Sequence, residues 1–134
     1  MQIKKISHIA VASSDSEQSR VLYEDILGLK YSGSEPVKRE GVDTHFFDLG
    51  ESSIEILEPL SEDSPVGRFL DKRGPGLHHI ALEVEDLDAY VIKLKAAGIA
   101  LLSDGPQIGA HNMRIIFIHP KSAGGVLIEL NEKA

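Results

Sequence analysis

A chain of 134 residues, 42% hydrophobic and 26% charged, has the size and composition of one globular domain. Its net charge of −7 argues against nucleic acid as a partner, and no apolar run approaches the roughly 20 residues that span a bilayer. The absence of cysteine excludes disulfides, thiolate metal sites and thiol nucleophiles, so any transition metal must be held by nitrogen and oxygen.

The opening MQIKKISHIAVASSD reads as a strand over about 3–12 rather than as a secretory signal, and a cytoplasmic protein is expected. Alternation puts Ile6, His8, Ala10 and Ala12 on one face of that strand, with Ile9 and Val11 on the other. Asp15 is placed to cap a following helix, with Gln18 three residues on. That helix carries Leu22 and Ile26 at i, i+4 and stops at Gly28. Strands are predicted at 30–36, 42–49 and 52–58, with a turn at Gly50-Glu51. Ser64-Pro65 starts a short helix packed by Val66, Phe69 and Leu70, and Gly74-Pro75-Gly76 ends it in a turn. After a strand that includes His79, Asp86 caps a helix with the stripe Leu87, Tyr90, Val91, Leu94 and Ala97, closed by Gly98. The last strands are predicted near 100–103, 113–118 and 125–131.

These elements repeat. HIAVASSDSEQSRVLYEDILGL from His8 parallels HIALEVEDLDAYVIKLKAAGI from His79, and SSIEILEPL around Glu55 parallels GVLIELNEK around Glu129. His8 and Glu55 lie 47 residues apart, and His79 and Glu129 lie 50 apart. Each half reads β-α-β-β-β: module one covers about 3–60, a structured connector 61–76, and module two about 77–134. All of 1–134 is expected to form one domain.

Within each module the His shares a strand face with a small residue, Ala10 or Ala81. Each Glu lies between aliphatic neighbours and so points away from the helix-packing face. If the first and last strands of each half are neighbours, four side chains converge on one concave surface. Two neutral imidazoles and two carboxylates suit an octahedral divalent ion with two open positions: Co²⁺, Mn²⁺, Ni²⁺ or Zn²⁺. His78 faces away from His79 and reads as structural or supporting. His45, His111 and His119 break the repeat and read as surface or loop residues, although His111, in the turn IGAHN, could reach a ligand.

At these residues the chain resembles the vicinal oxygen chelate (glyoxalase/bleomycin resistance/dioxygenase) superfamily, and within it the methylmalonyl-CoA epimerase family. The stretches that carry the resemblance are IEILEPLSEDSPVGRFLDKRGPGLHHIALEV at 54–84, IGAH at 108–111 and IFIHPKSAGGVLIEL at 116–130. It implies an α+β fold in which paired βαβββ modules form an eight-stranded, incompletely closed barrel around a metal, and a homodimer. It implies the metal ligands His8, His79 and Glu129, with Glu55 in the fourth position and Co²⁺ as the leading ion. The implied reaction, a step of propionate metabolism, interconverts (2R)- and (2S)-methylmalonyl-CoA by proton transfer at C2 through a metal-stabilised enolate.

One base is then needed on each face of a planar intermediate, and Glu55 and Glu129 are the candidates. Some family members place a further Glu on the strand at 42–48, where this chain has Thr44. The acyl-CoA phosphates call for basic side chains, and Lys121 and Ser122 in HPKSAGG, with His111, are the substrate-binding candidates. Two other readings compete. One is a lactoylglutathione lyase (glyoxalase I) acting on a glutathione hemithioacetal. The other is a ligand-sequestering dimer of the same fold without catalysis.

Overall fold

The computed structural model describes all 134 residues as eight strands and three helices, an α+β fold as expected. It divides into two compact units. One comprises residues 8–78; the other comprises 79–134 with 1–7.

In the unit of residues 8–78, β1 (Gln2–Ala12) contributes its second half, followed by β2 (Lys30–Val37), β3 (Val42–Asp48) and β4 (Ser53–Pro59). The lateral order is β2-β3-β4-β1. β1 runs parallel to β4, and β2-β3 and β3-β4 are antiparallel. The aromatic pairs Tyr23–Phe47 and Tyr31–Phe47, with ring centroids 5.3 and 5.4 Å apart, fill the space between sheet and helix.

That helix differs from its expected form. α1 (Ser16–Arg20) starts on Asp15, whose side chain accepts the Gln18 N–H, but from Val21 to Ile26 the winding is π. The Leu27 N–H reaches back five residues to the Leu22 carbonyl. The wider turn carries the i, i+4 pair away from the sheet. Leu22 and Ile26 are 45% and 70% exposed, and Tyr23 packs inward instead.

α2 (Pro65–Arg73) begins as its sequence dictates. The Ser64 hydroxyl accepts the Gly67 N–H at 3.0 Å, and Pro65 occupies the first turn. Gly67 is needed for space. A Cβ there would stand 2.5 Å from the Glu62 carbonyl oxygen and 2.6 Å from that of Ser61, both backbone atoms. Alanine gains about 1 kcal/mol of helix propensity over glycine, whereas forced overpacking costs about 1–3 kcal/mol. Gly67→Ala is therefore expected to lower the melting temperature by several degrees. An unchanged or raised Tm would show that the 61–62 backbone yields freely.

In the second unit, β5 (Gly76–Glu85), β6 (Gln107–Ile108), β7 (Met113–Ile118) and β8 (Ile128–Lys133) follow the order β5-β8-β7-β6. β5 runs parallel to β8, and β7 is antiparallel to both β8 and β6. α3 (Leu87–Ala96) lays its stripe on the sheet, so that Leu87 and Val91 join Val84, Ile116 and Leu130 in the core, with Tyr90 and Leu94 against them. The strand expected at 100–103 shrinks to one bridge, Leu101 with Ile118. The chain turns at once after it, where the Ser103 hydroxyl donates to the Gly105 carbonyl, and pairing resumes only at Gln107–Ile108.

No helix of the chain is long and apolar enough to cross a membrane.

Candidate metal centre

Each unit builds the same small arrangement. In residues 8–78, parallel pairing sets Ala10 beside Glu55, and His8 lies two residues earlier on the same face of β1. In the other unit, parallel pairing sets Ala81 beside Glu129, and His79 lies two residues earlier on β5. The alanines are fully buried, and their small side chains leave the space that His and Glu share.

The couples close accordingly. His8 Nδ1 is 3.0 Å from Glu55 Oε2, and His79 Nε2 is 3.4 Å from Glu129 Oε1. All four residues are buried. A buried carboxylate is costly unless an opposite charge or a hydrogen-bond donor compensates it. Bonds of about 2.1 Å to a divalent ion set neighbouring ligand atoms about 3.0 Å apart in octahedral geometry and about 3.4 Å apart in tetrahedral geometry. The donor chemistry and both spacings therefore fit a divalent transition ion. These are buried His/Glu couples of the metal-binding type, found in pairs as the repeat predicts.

Supporting residues were not foreseen. Asn131, fully buried two positions after Glu129, donates its Nδ2 to Glu129 Oε2 at 2.9 Å and to the Ser7 hydroxyl at 3.1 Å. It holds one carboxylate oxygen still and leaves the other for His79. The signal was present, because strand parity puts residue 131 on the face of 129, and the repeat changes character there: the counterpart of Asn131 is Leu57. Phe117 stands opposite Glu129 on β7 and meets the His79 ring edge-on at 5.3 Å. Its counterpart Phe46 stands opposite Glu55 on β3.

A second repeated glutamate lies three residues beyond each of the first, on the helix side of the sheet. The Glu58 carboxylate accepts the Ser16 N–H at 3.2 Å, and the Glu132 carboxylate accepts the Asp86 N–H at 2.6 Å and the Leu87 N–H at 3.3 Å. Each ties the start of its module's helix to the last strand of that module, where the helix dipole favours negative charge. Arg114, one of several cations that could have faced a polyanion, is held instead by Asp88 at 2.7 Å and Glu132 at 3.3 Å. Hydrogen bonding from its guanidinium holds the Asp88 carboxyl below the usual carboxylate range.

The remaining candidates lie outside the two couples. His111 is exposed, in a 3₁₀ turn where its φ is +56°. Lys121 is exposed, and its backbone N–H donates to His119 Nδ1, so His119 caps a turn. The Ser122 hydroxyl accepts the Ala100 N–H at 3.0 Å and keeps its own proton to donate. His78 packs edge-on against Phe69 at 4.9 Å, in keeping with a structural reading. His45 does not sit at the surface as expected. It is a buried residue of β3, because that strand is flanked on both sides and its helix-facing side is covered. Thr44, on the opposite face of β3, is buried beside Leu57.

Comparisons with known proteins bear on the family and the fold. The pattern of the Glyoxalase/Bleomycin resistance protein/Dioxygenase superfamily matches residues 7–117. The mitochondrial methylmalonyl-CoA epimerase of Mus musculus is 42% identical over 132 residues, covering 98% of this chain and 74% of that protein. The ethylmalonyl-CoA/methylmalonyl-CoA epimerase of Cereibacter sphaeroides is 39% identical, covering 97% of this chain and 98% of that one. The structure of a Streptomyces coelicolor methylmalonyl-CoA epimerase variant in complex with 2-nitronate-propionyl-CoA matches with a TM-score of 0.94 at 34% identity, over 99% of both chains. With one His-Ala-Glu register built twice, and with likeness to these proteins over nearly the whole of this chain, the chain belongs to the vicinal oxygen chelate superfamily and, within it, to the methylmalonyl-CoA epimerase family.

Proposed function

We propose that the chain works as one domain in which His8, Glu55, His79 and Glu129 hold a single divalent ion, and that it interconverts the (2R) and (2S) forms of methylmalonyl-CoA. The observation that carries this reading is the identical His-Ala-Glu register of the two couples, with every ligand atom supplied by a buried side chain. Co²⁺ is the ion proposed, and the N/O donor set also accepts Mn²⁺, Ni²⁺ or Zn²⁺.

The C2 proton of the substrate lies between a thioester carbonyl and a carboxylate and is too weakly acidic to leave unaided. A divalent ion held by the four residues supplies Lewis-acid polarisation of the thioester, which lowers the cost of the charge that builds as C2 loses its proton. Glu129 then takes the proton from one face of C2, and Glu55 returns one to the other face. The reverse direction exchanges their roles. With Thr44 on β3, no carboxylate at that position competes for the task.

Asn131 keeps Glu129 in one rotamer throughout, and Phe117 packs the His79 ring in place. His111, Lys121 and Ser122 are proposed to meet the acyl-CoA, with Lys121 facing phosphate. The proposal includes a homodimer, which would cover the exposed Leu22 and Ile26, and a cytoplasmic setting.

Deuterium wash-in at C2 tests the function. In D2O, metal-loaded protein is expected to exchange C2–H of methylmalonyl-CoA, chelated protein to stop, and added Co²⁺ to restore exchange, as followed by mass spectrometry. Turnover of the methylglyoxal–glutathione hemithioacetal without C2 exchange would select the glyoxalase reading instead. Neither activity after metal loading would leave a binding protein.

A further inference from the structure

The helix side of the first module holds a group of residues that the epimerase reading does not use. On β3 and β4, Asp43 stands directly opposite Glu58. His45, two residues from Asp43 on the same face of β3, points its Nε2 between them. That nitrogen is 3.5 Å from Asp43 Oδ2 and 3.5 Å from Glu58 Oε1, yet it makes a hydrogen bond to neither and is buried without a partner. His45 is 8% exposed, while the two carboxylates are roughly a third exposed and form the outer rim. Strand parity puts all three on the face away from Glu55, which pairs with Phe46.

The repeat shows what is unusual here. In the second module the corresponding cross-strand pair is Arg114 opposite Glu132, and the arginine neutralises the glutamate at 3.3 Å. In the first module the arginine is replaced by Asp43, so two carboxylates face each other. Like charges directly opposite across strands are destabilising. The ring that approaches both is the His45 imidazole, with its Nε2 3.5 Å from each. A carboxylate pair with one buried, unpartnered imidazole nitrogen aimed at it lacks a cation.

We propose that Asp43, His45 and Glu58 form a second divalent-cation site, of one nitrogen and two oxygen ligands, suited to Zn²⁺ with a water in the fourth position. The two 3.5 Å separations agree with the about 3.4 Å edge of a tetrahedron with bonds of about 2.1 Å. The other ring nitrogen is already oriented: His45 Nδ1 lies 3.1 Å from the Tyr31 hydroxyl. If Nδ1 carries the proton and donates it to Tyr31, the Nε2 lone pair faces the carboxylates, the arrangement in which metal-binding imidazoles are normally held. The second oxygen of Glu58 accepts the Ser16 N–H, so an ion here would clamp β3 and β4 to the start of α1. Its effect would be on stability rather than on chemistry at C2.

The site is tested with Zn²⁺ alone. Metal-free full-length protein dialysed against micromolar Zn²⁺ is expected to hold two equivalents by elemental analysis. The Asp43→Asn/Glu58→Gln double variant is expected to hold one, with C2 exchange of methylmalonyl-CoA intact. In wild-type protein, long-range ¹H–¹⁵N spectra should show His45 Nε2 moving from its free-imidazole position as the second equivalent binds, a readout that requires no variant to fold. Equal stoichiometry in the two proteins, or a His45 Nε2 that keeps a proton and does not shift with Zn²⁺, would overturn the proposal and leave an imidazolium bridging two acids.

Discussion

His79→Ala is expected to abolish metal binding at the paired His/Glu centre, and turnover with it. The variant removes one of the two imidazole donors proposed for the ion, and with it the His79 contact to Glu129 Oε1. Losing a residue that only orients a ligand already costs about 10–100-fold in metal affinity, so losing the ligand itself should cost at least about 100-fold. The protein should still fold, because Asn131 continues to satisfy one Glu129 oxygen. Losing the His79 contact to the buried Glu129 carboxylate should cost about 1–3 kcal/mol of stability, visible as a lower Tm. His8→Ala, which removes the 3.0 Å contact to Glu55 Oε2, should behave alike. Measured in the Asp43→Asn/Glu58→Gln background, metal content should fall from one equivalent to none. Normal metal content and turnover in both variants would remove the proposed centre.

The second large effect separates ligand from base. Glu129→Gln retains a carbonyl oxygen for the ligand position, and its amide N–H can donate to Asn131 Oδ1 once that side chain flips, but it cannot take a proton from carbon. Metal content should persist while kcat falls by about 10²–10⁴-fold, the usual worth of a general base. Glu55→Gln should do the same if Glu55 serves the opposite face. The pattern of C2 exchange then becomes asymmetric. Each variant should still wash deuterium into the one epimer whose proton faces the surviving carboxylate, without inverting it, and should fail on the other. If Glu55→Gln exchanges both epimers at the wild-type rate, Glu55 is a ligand only, and the second proton comes from elsewhere.

The strand faces of His8, Glu55, His79 and Glu129 were legible in the sequence because alternation is local, whereas their closing into couples rests on the parallel strand pairing. Alternation along a strand sets which side chains share a face, and the repeat states the pattern twice, with Ala10 and Ala81 marking the space. The expectations about the caps of Asp15, Ser64 and Asp86 held for the same reason: each bond spans three residues. Leu22 and Ile26 failed because periodicity assumes α winding, and the backbone switches to π at Val21. Residues 100–103 failed because apolar composition does not determine whether a neighbouring strand is in register to pair.

Composition and repeat thus determined a doubled β-α-β-β-β chain and the face of its own strand on which each His and each Glu lies, since those facts depend on alternation over a few residues; the parallel pairing of β1 with β4 and of β5 with β8 brought each His to its Glu. Tertiary structure decided what no local spacing encodes. It set Glu58 and Glu132 under helix starts more than forty residues away. It buried His45 between Tyr31 and two acids, and it set Asp43 where the other module has Arg114. The physical reason is that burial and charge pairing depend on cross-strand register and on the layer above the sheet, and both come from chain segments distant in sequence.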